Sequence, residues 1–117
     1  MREPKDRLRD ISEAIAAIDR YRDRGRSAFE RDELLQVWFL RHLQIIGEAD
    51  SRLPEEIRYL DPDVPLHKMI GMRNILVHGY FAIDLDVVWD AVQRDVPLLK
   101  PAVEALLEKL GDQGNGG

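Results

Sequence analysis

Apolar residues recur at intervals of three and four along most of the chain, and this period is the strongest constraint on its fold. Near the N-terminus they are Leu8, Ile11, Ile15 and Ile18, and the same spacing runs from Val88 to Leu110. It places apolar side chains on one stripe of an α-helix, whereas no stretch shows the alternation of a β-strand. We therefore predict an all-α fold, an antiparallel bundle of four main helices and one short helix.

The second helix carries more apolar residues than one stripe can hold. Ser27-Ala-Phe-Glu30 matches a capping box, so we predict that this helix begins there and ends near Ser51. Its apolar residues cover more than one face, and a two-fold homodimer interface is a natural way to bury the surplus. Gly47 within it permits the close approach of another backbone.

Prolines and caps predict the remaining boundaries. We expect the first helix over residues 5–24, a short helix over 55–60 after Pro54, and a last helix capped by Asp84. Pro97 and Pro101 should kink or interrupt that last helix. We predict one domain over residues 1–110 and a disordered glycine-rich tail over 111–117.

Composition excludes several classes of protein. The 117 residues are 44% apolar and 33% charged, as in a folded soluble protein, and the absence of cysteine excludes disulfides and thiolate zinc sites. No apolar run could span a bilayer and no signal segment is visible, so we expect a cytoplasmic protein. The net charge of −5 argues against tight, non-specific nucleic-acid binding, but it leaves room for a local basic site. We interpret most of the arginines between Arg20 and Arg31 as a solvated helix end.

The stretch from Met69 to Tyr80 breaks the local pattern. As a helix it places Arg73 in a wide apolar arc, while Asn74 and His78 share the opposite polar stripe. A guanidinium in apolar surroundings is costly without a partner, so this residue is either functional or paired with a carboxylate such as Glu48.

Arg73-Asn-Ile-Leu-Val-His78-Gly-Tyr80 is Arg, four residues, His, one residue and Tyr. With its flanks it resembles the HepT-like toxin branch of the HEPN superfamily. The flanks are Ile46-Gly-Glu-Ala49, Gly71-Met-Arg-Asn74 and Ile83-Asp-Leu-Asp-Val-Val-Trp89. The chain departs from that branch after the loop proline, where it has Leu66-His67 instead of a tryptophan. The resemblance implies a helical homodimer that joins two motifs in one cleft.

The resemblance also implies an activity. HepT-like proteins are metal-independent RNA endonucleases without a cofactor, and each is the toxin of a type VII-like toxin–antitoxin pair. The antitoxin, a minimal nucleotidyltransferase, silences the toxin by transferring AMP from ATP onto the motif tyrosine, here Tyr80. The RNA target, tRNA or mRNA, stays open. Without the resemblance, Tyr80 would be interpreted as an amphipathic residue at a helix end.

The chemistry suits the residue types. His78 can act as acid or base near neutral pH, and Arg73 can hold two phosphate oxygens at once. The two are five residues apart, roughly 140° around a helix, so either the helix ends at His78 and turns it, or each Arg serves the other subunit's His. Asn74 and Glu48 are weaker, supporting candidates.

Three histidines invite a metal hypothesis, but no His-x3-His spacing or acidic cluster accompanies His42, His67 and His78, so we predict no metal. The alternative function is a non-catalytic HEPN subunit that binds a nucleotidyltransferase and positions its substrate. A third possibility is a helical dimer in which Arg73 is purely structural.

Overall fold

The computed structural model describes residues 3–78 and 84–114, with side chains described over 3–73 and 84–111. Every regular element in these ranges is helical. They are α1 (Pro4–Arg22), α2 (Gly25–Arg31), α3 (Glu33–Ser51), α4 (Glu55–Arg58), α5 (Leu66–His78), α6 (Leu85–Asp90), a π-helical segment (Ala91–Asp95) and α7 (Val96–Gly114). None of the helices searched in the described ranges is long and apolar enough to cross a bilayer.

α3 is the central helix, packed against α1 and against α5, and α7 packs against α1. α1 and α3 run antiparallel, because the start of each lies beside the end of the other. Near the start of α3, Trp38 Nε1 donates to the carbonyl oxygen of Ala17 over 2.7 Å. At the opposite end, Arg7 of α1 and Glu48 of α3 line one cavity. The predicted all-α bundle is confirmed.

The core is formed by the stripes that the apolar period predicts. In α1 the four predicted residues from Leu8 to Ile18 are buried. In the C-terminal helices, from α6 to α7, the buried positions run from Val88 to Val103. Full burial of one such side chain stabilises the fold by about 1.5–3 kcal/mol. α3 adds Phe39, Leu43 and Ile46 between these helices, so the three elements share one apolar core.

The predicted second helix is two helices, and the predicted capping box at Ser27 is wrong. The chain breaks at Asp32, whose backbone is extended and whose carboxylate accepts hydrogen bonds from the N–H groups of Leu34 (3.0 Å) and Leu35 (3.3 Å). Asp32 is therefore the N-cap of α3. Ser27 lies inside α2, and Glu30 pairs with Arg26 instead of reaching back to the serine.

The last helix begins as predicted. The Asp84 carboxylate accepts hydrogen bonds from the N–H groups of Asp86 (3.1 Å) and Val87 (3.3 Å). It caps α6, because these donors have no partner within the helix. The cap therefore fixes the first residue of the C-terminal helices, which run from α6 to α7.

The predicted proline interruption takes the form of the π-helical segment just before Pro97. Val96 N–H bonds the carbonyl of Ala91, five residues back. In that register the carbonyl of Val92 would need a donor at position 97, where proline has none. Arg22 of α1 supplies it, donating from Nε over 3.2 Å. The irregularity is thus compensated by a contact between helices.

Other boundaries also differ from the predictions. The first helix, α1, spans Pro4–Arg22 rather than residues 5–24. The short helix α4 ends at Arg58 rather than at residue 60. α7 continues to Gly114, so the tail predicted to be disordered from Gly111 is helical over its first residues, and 115–117 lie outside the described residues. The single-domain assignment over 1–110 stays a prediction.

Candidate functional site

Gly47 sets the contact between α3 and α5. A Cβ atom at this position would lie 2.8 Å from the carbonyl oxygen of Met69 and 3.1 Å from the backbone nitrogen of Arg73. Any side chain would therefore force the two backbones apart. The close approach expected of Gly47 is present, and it brings Arg73 directly against the last turns of α3.

Arg73 is paired with Glu48, as one of the two interpretations of the sequence expected. Its Nη1 donates to Glu48 Oε2 over 3.1 Å and to the hydroxyl of Ser51 over 3.1 Å. The side chain remains 38% exposed. Neither Nε nor Nη2 donates a hydrogen bond to any residue whose side chain is described, so among these residues the guanidinium is anchored through Nη1 alone.

Glu48 joins two arginines. Its Oε1 accepts a hydrogen bond from Arg52 Nε over 3.2 Å. Desolvation opposes its ionisation, but hydrogen bonds from Arg52 and Arg73 and their positive charges outweigh that effect and lower the pKa of Glu48. The carboxylate therefore stays charged and orients Arg73. Sequence reasoning missed Ser51 and Arg52, although their spacing of three and four from Glu48 places all of them on one face of α3.

The remaining motif residues follow Arg73. α5 is described as far as His78, and Asn74 lies within the same helix. The side chains of Asn74 and His78, and all of Tyr80, lie outside the described residues. On a regular helix the Cα atom of His78 lies about 7.5 Å along the axis from that of Arg73 and roughly 140° around it. Their roles stay predictions.

The other two histidines have structural contacts. His42 Nδ1 lies 2.7 Å from the carbonyl oxygen of Trp38, so this nitrogen carries the proton, and the two rings are 4.4 Å apart. His67 is exposed and stacks on Tyr59 with ring centroids 5.2 Å apart. Within the described ranges no three His, Asp or Glu side chains are grouped as metal ligands.

The model of the family described as "Ribonuclease HepT-like" matches residues 11–106, which include α3, α5 and Arg73. This chain belongs to the HepT-like ribonuclease family. It is 40% identical over 106 residues to the "Probable ribonuclease HepT" of Thermococcus cleftensis, covering 90% of this chain and 96% of that protein.

Two further relatives give the same family assignment. One, described as a "Putative RNase" of Methanocaldococcus jannaschii, is 38% identical over 104 residues, 88% of this chain and 95% of that protein. Another of the same description, from Caldanaerobacter subterraneus subsp. tengcongensis, is 34% identical over 110 residues, 93% and 98% of the two chains. No solved structure matches this HepT-like chain significantly.

A polar cavity lies beside the Glu48 pair of this HepT-like chain. It has a volume of about 310 Å³ and lies between α1 and α3, lined by Arg7 and Asp10 from α1 and by Arg41, Gln44 and Glu48 from α3. Because Glu48 lines the cavity and also accepts from Arg73, the cavity and the candidate site share one wall.

Asp50, two residues after Glu48, is buried and unpaired among the described residues, whereas Glu48 is partly exposed and paired with two arginines. Asp50 is 0% exposed, and neither carboxylate oxygen has a hydrogen-bond partner in the described part of the chain. Burial raises the pKa of Asp50 to about 7, an effect that the charge of Arg58 opposes. Since Asp50 has no access to solvent, it cannot contact a substrate, and we assign it no role in the site.

Proposed function

We propose that this HepT-like chain is a metal-independent RNA endonuclease in which Arg73 and His78 perform cleavage. The observation that carries the proposal is the half-exposed Arg73, anchored by Glu48 and Ser51 on the helix that also contains His78. A guanidinium held in this way can bind two oxygens of a phosphate. The family and its relatives support RNA as the substrate, either tRNA or mRNA.

The proposed step is attack by the ribose 2′-hydroxyl on the adjacent phosphorus. One imidazole of His78 takes the proton of that hydroxyl as the new O–P bond forms. A second acid gives a proton to the 5′-oxygen as its bond to phosphorus breaks, and Arg73 stabilises the added charge on the phosphate oxygens. The products are a 2′,3′-cyclic phosphate and a 5′-hydroxyl, and the nucleophile is supplied by the RNA itself.

This step requires an acid and a base, whereas each chain has a single His78 in its motif. We propose that a two-fold homodimer supplies both and that each Arg73 serves a shared cleft. The divergence of the two side chains around a regular helix supports this arrangement. α3 also leaves apolar surface for a second copy, since Leu34 is 82% exposed and Val37 is 54% exposed. Light scattering should give the mass of a dimer, and a monomeric active enzyme would contradict this part of the proposal.

We further propose that the chain is the toxin of a toxin–antitoxin pair, silenced by a minimal nucleotidyltransferase. The Tyr80 hydroxyl would attack the α-phosphorus of ATP, form a Tyr–AMP ester and release pyrophosphate. The added phosphate would compete with RNA for Arg73. After incubation with ATP and the cognate transferase, intact-mass measurement should show an AMP increment that Tyr80→Phe lacks. An unchanged wild-type mass would contradict the proposal.

The ion pair between Arg73 and Glu48 also suits the alternative function, a non-catalytic HEPN subunit that positions the substrate of a nucleotidyltransferase. Expression toxicity and product ends separate the two. The nuclease predicts growth arrest on expression and 2′,3′-cyclic phosphate ends on cleaved RNA. Stable co-purification with the transferase, without toxicity or cleavage, would favour the binding subunit.

A further inference from the structure

The cavity between α1 and α3 contains two arginines without an evident structural task. Arg41 is exposed and Arg7 is half-buried, and both line the cavity. Within the described part of the chain, neither forms a hydrogen bond or an ion pair. Other interhelical cations do have such partners: Lys68 pairs with Asp95 and Lys100 with Asp19. The cationic groups of Arg7 and Arg41 thus remain available to an external anion.

The charge around this cavity is opposite to that of the whole chain. The cavity and the adjoining Glu48 cluster contain four cationic residues and two carboxylates, which leaves a local charge of +2, whereas the chain has a net charge of −5. The cations are Arg7, Arg41, Arg52 and Arg73, and the carboxylates are Asp10 and Glu48. Such a local field attracts a polyanion that the rest of the surface repels.

The cavity is also placed to extend the candidate site. Along α3, Arg41, Gln44 and Glu48 are spaced by three and four residues and line the same wall. From Arg41 to Glu48, the partner of Arg73, the helix rises about 10 Å. A single nucleic-acid strand covers this distance within a few nucleotides. A strand with its scissile phosphate at Arg73 could therefore have a neighbouring phosphate beside Arg41.

We propose that this cavity holds the RNA backbone on one side of the scissile bond. Arg7 and Arg41 bind phosphate oxygens, and the amide of Gln44 hydrogen-bonds the ribose or base between them. The inference rests on the proposed ribonuclease function and names the part of the chain that positions its substrate. Because Arg7 and Arg41 bind flanking phosphates rather than the reacting one, they are positioning residues.

The direct test is RNA binding by the full chain carrying His78→Ala, which prevents cleavage during the measurement. The probe is a short, fluorescein-labelled, single-stranded oligoribonucleotide of mixed sequence, followed by anisotropy over a series of salt concentrations. Adding Arg7→Gln and Arg41→Gln should weaken binding at low salt on the order of tenfold or more. The slope of log affinity against log salt should fall by roughly 0.7 for each lost phosphate contact.

A matched control removes the same charge elsewhere. Arg9 and Arg94 are exposed and have acidic partners three and four residues before them in sequence, Asp6 at 3.8 Å and Asp90 at 3.4 Å. The pair Arg9→Gln and Arg94→Gln should leave the affinity within about twofold and the slope nearly unchanged. The proposal would be overturned if both double variants lost RNA affinity equally, or if the Arg7 and Arg41 variant lost none. Arg41→Glu, at an exposed position, should weaken binding even when tested alone.

Kinetics separate this inference from the proposed function. In a protein with intact His78, the cavity pair should raise the RNA concentration needed for half-maximal single-turnover cleavage, with little change in the maximal rate. If RNA cleavage is unaffected by the loss of both arginines, the cavity assignment would be overturned while the proposed nuclease function would stand. If RNA binding depends on both arginines but the protein never cleaves RNA, the cavity assignment would be supported and the proposed nuclease activity would be contradicted. A chain that neither binds nor cleaves RNA would contradict both.

Discussion

Arg22 and Arg73 each connect two helices, and they differ in their exposure and in the groups that they bind. Arg22 lies at the end of α1 and donates to the carbonyl of Val92, which the proline at position 97 leaves without a backbone donor. Its side chain is 21% exposed and its Nη2 is buried. Arg73 connects α5 to α3 through one nitrogen and is 38% exposed. The first is mostly buried and compensates a backbone irregularity, and the second is more exposed and uses Nη1 for both of its hydrogen bonds to the described side chains.

The comparison shows how a structural arginine can be told from a functional one in a single chain. A structural arginine should cost stability when removed, because it leaves a buried acceptor unpaired. A functional arginine of this exposure should cost little stability, because exposed ion pairs contribute less than about 1 kcal/mol. Its removal should instead affect chemistry. Family membership strengthens this interpretation of Arg73 but cannot by itself separate the two roles.

The largest effect is expected from Arg73→Ala. We predict that RNA cleavage falls about 100- to 1000-fold, as when one preorganised donor to a transition-state oxyanion is lost. The unfolding free energy should change by less than about 1 kcal/mol. Single-turnover cleavage and urea unfolding measure the two quantities. A strongly destabilised Arg73→Ala protein with normal activity per folded molecule would make this arginine structural and erase the contrast with Arg22.

Gly47→Ala tests whether the position of Arg73 depends on the close contact between α3 and α5. In a helix interior this change alone should stabilise by about 1 kcal/mol. Here the new methyl group would meet backbone atoms of α5, so we predict net destabilisation of about 1–3 kcal/mol and on the order of tenfold slower cleavage. Gly71→Ala, where a Cβ meets no described atom within 4 Å, is the control. If the Gly47→Ala protein is as stable as the Gly71→Ala protein, α3 and α5 can move apart without cost, and the close contact does not determine the position of Arg73.

Arg22→Ala should give the opposite pattern to Arg73→Ala. The carbonyl of Val92 would lose its donor, and we predict a loss of about 1–3 kcal/mol in unfolding free energy. Cleavage per folded molecule should stay within about twofold of wild type. Arg20→Ala, at an exposed position on the same helix, should change stability by less than about 0.5 kcal/mol. Equal stability of the two variants would remove the structural role assigned to Arg22.

The smallest effect is expected from Glu48→Gln. Glutamine can still accept a hydrogen bond from Arg73, but a charged acceptor is exchanged for a neutral one, so cleavage should fall by less than about tenfold. The pKa of Glu48 is lowered in the folded chain, so its contribution to stability is present above the ordinary value of 4.5 and is lost as pH falls through the folded value. Stability of the wild type should therefore fall more steeply in acid than that of Glu48→Gln. Parallel pH profiles would contradict the pairing.

The sequence predicted those features that depend on short-range pattern. Helix period located the buried stripes, because burial of apolar surface dominates folding. Asp84 was predicted as a cap from its residue type and position. The break at Asp32 was missed because two capping signals compete within a few residues, and only the extended backbone of Asp32 decides between them. Local propensity could not rank them.

The site was predictable in part. Arg73 was singled out because it breaks an apolar arc, and Glu48 was named as a carboxylate able to pair with it. Arg52 joins the cluster through its spacing of four residues from Glu48, whereas Ser51 contacts Arg73 through tertiary geometry that Gly47 permits. The Arg7–Arg41 cavity could not be predicted, since its two cations lie on different helices and only the packing of α1 against α3 brings them together.

Single-turnover cleavage in excess EDTA tests whether Arg73 and His78 cleave RNA without a metal. Wild-type protein and His78→Ala are compared on the same RNA, with circular dichroism to verify that both are folded. We expect full wild-type cleavage in EDTA and no detectable cleavage by the folded His78→Ala protein. A His78→Ala protein that cleaves RNA at the wild-type rate in EDTA would contradict it.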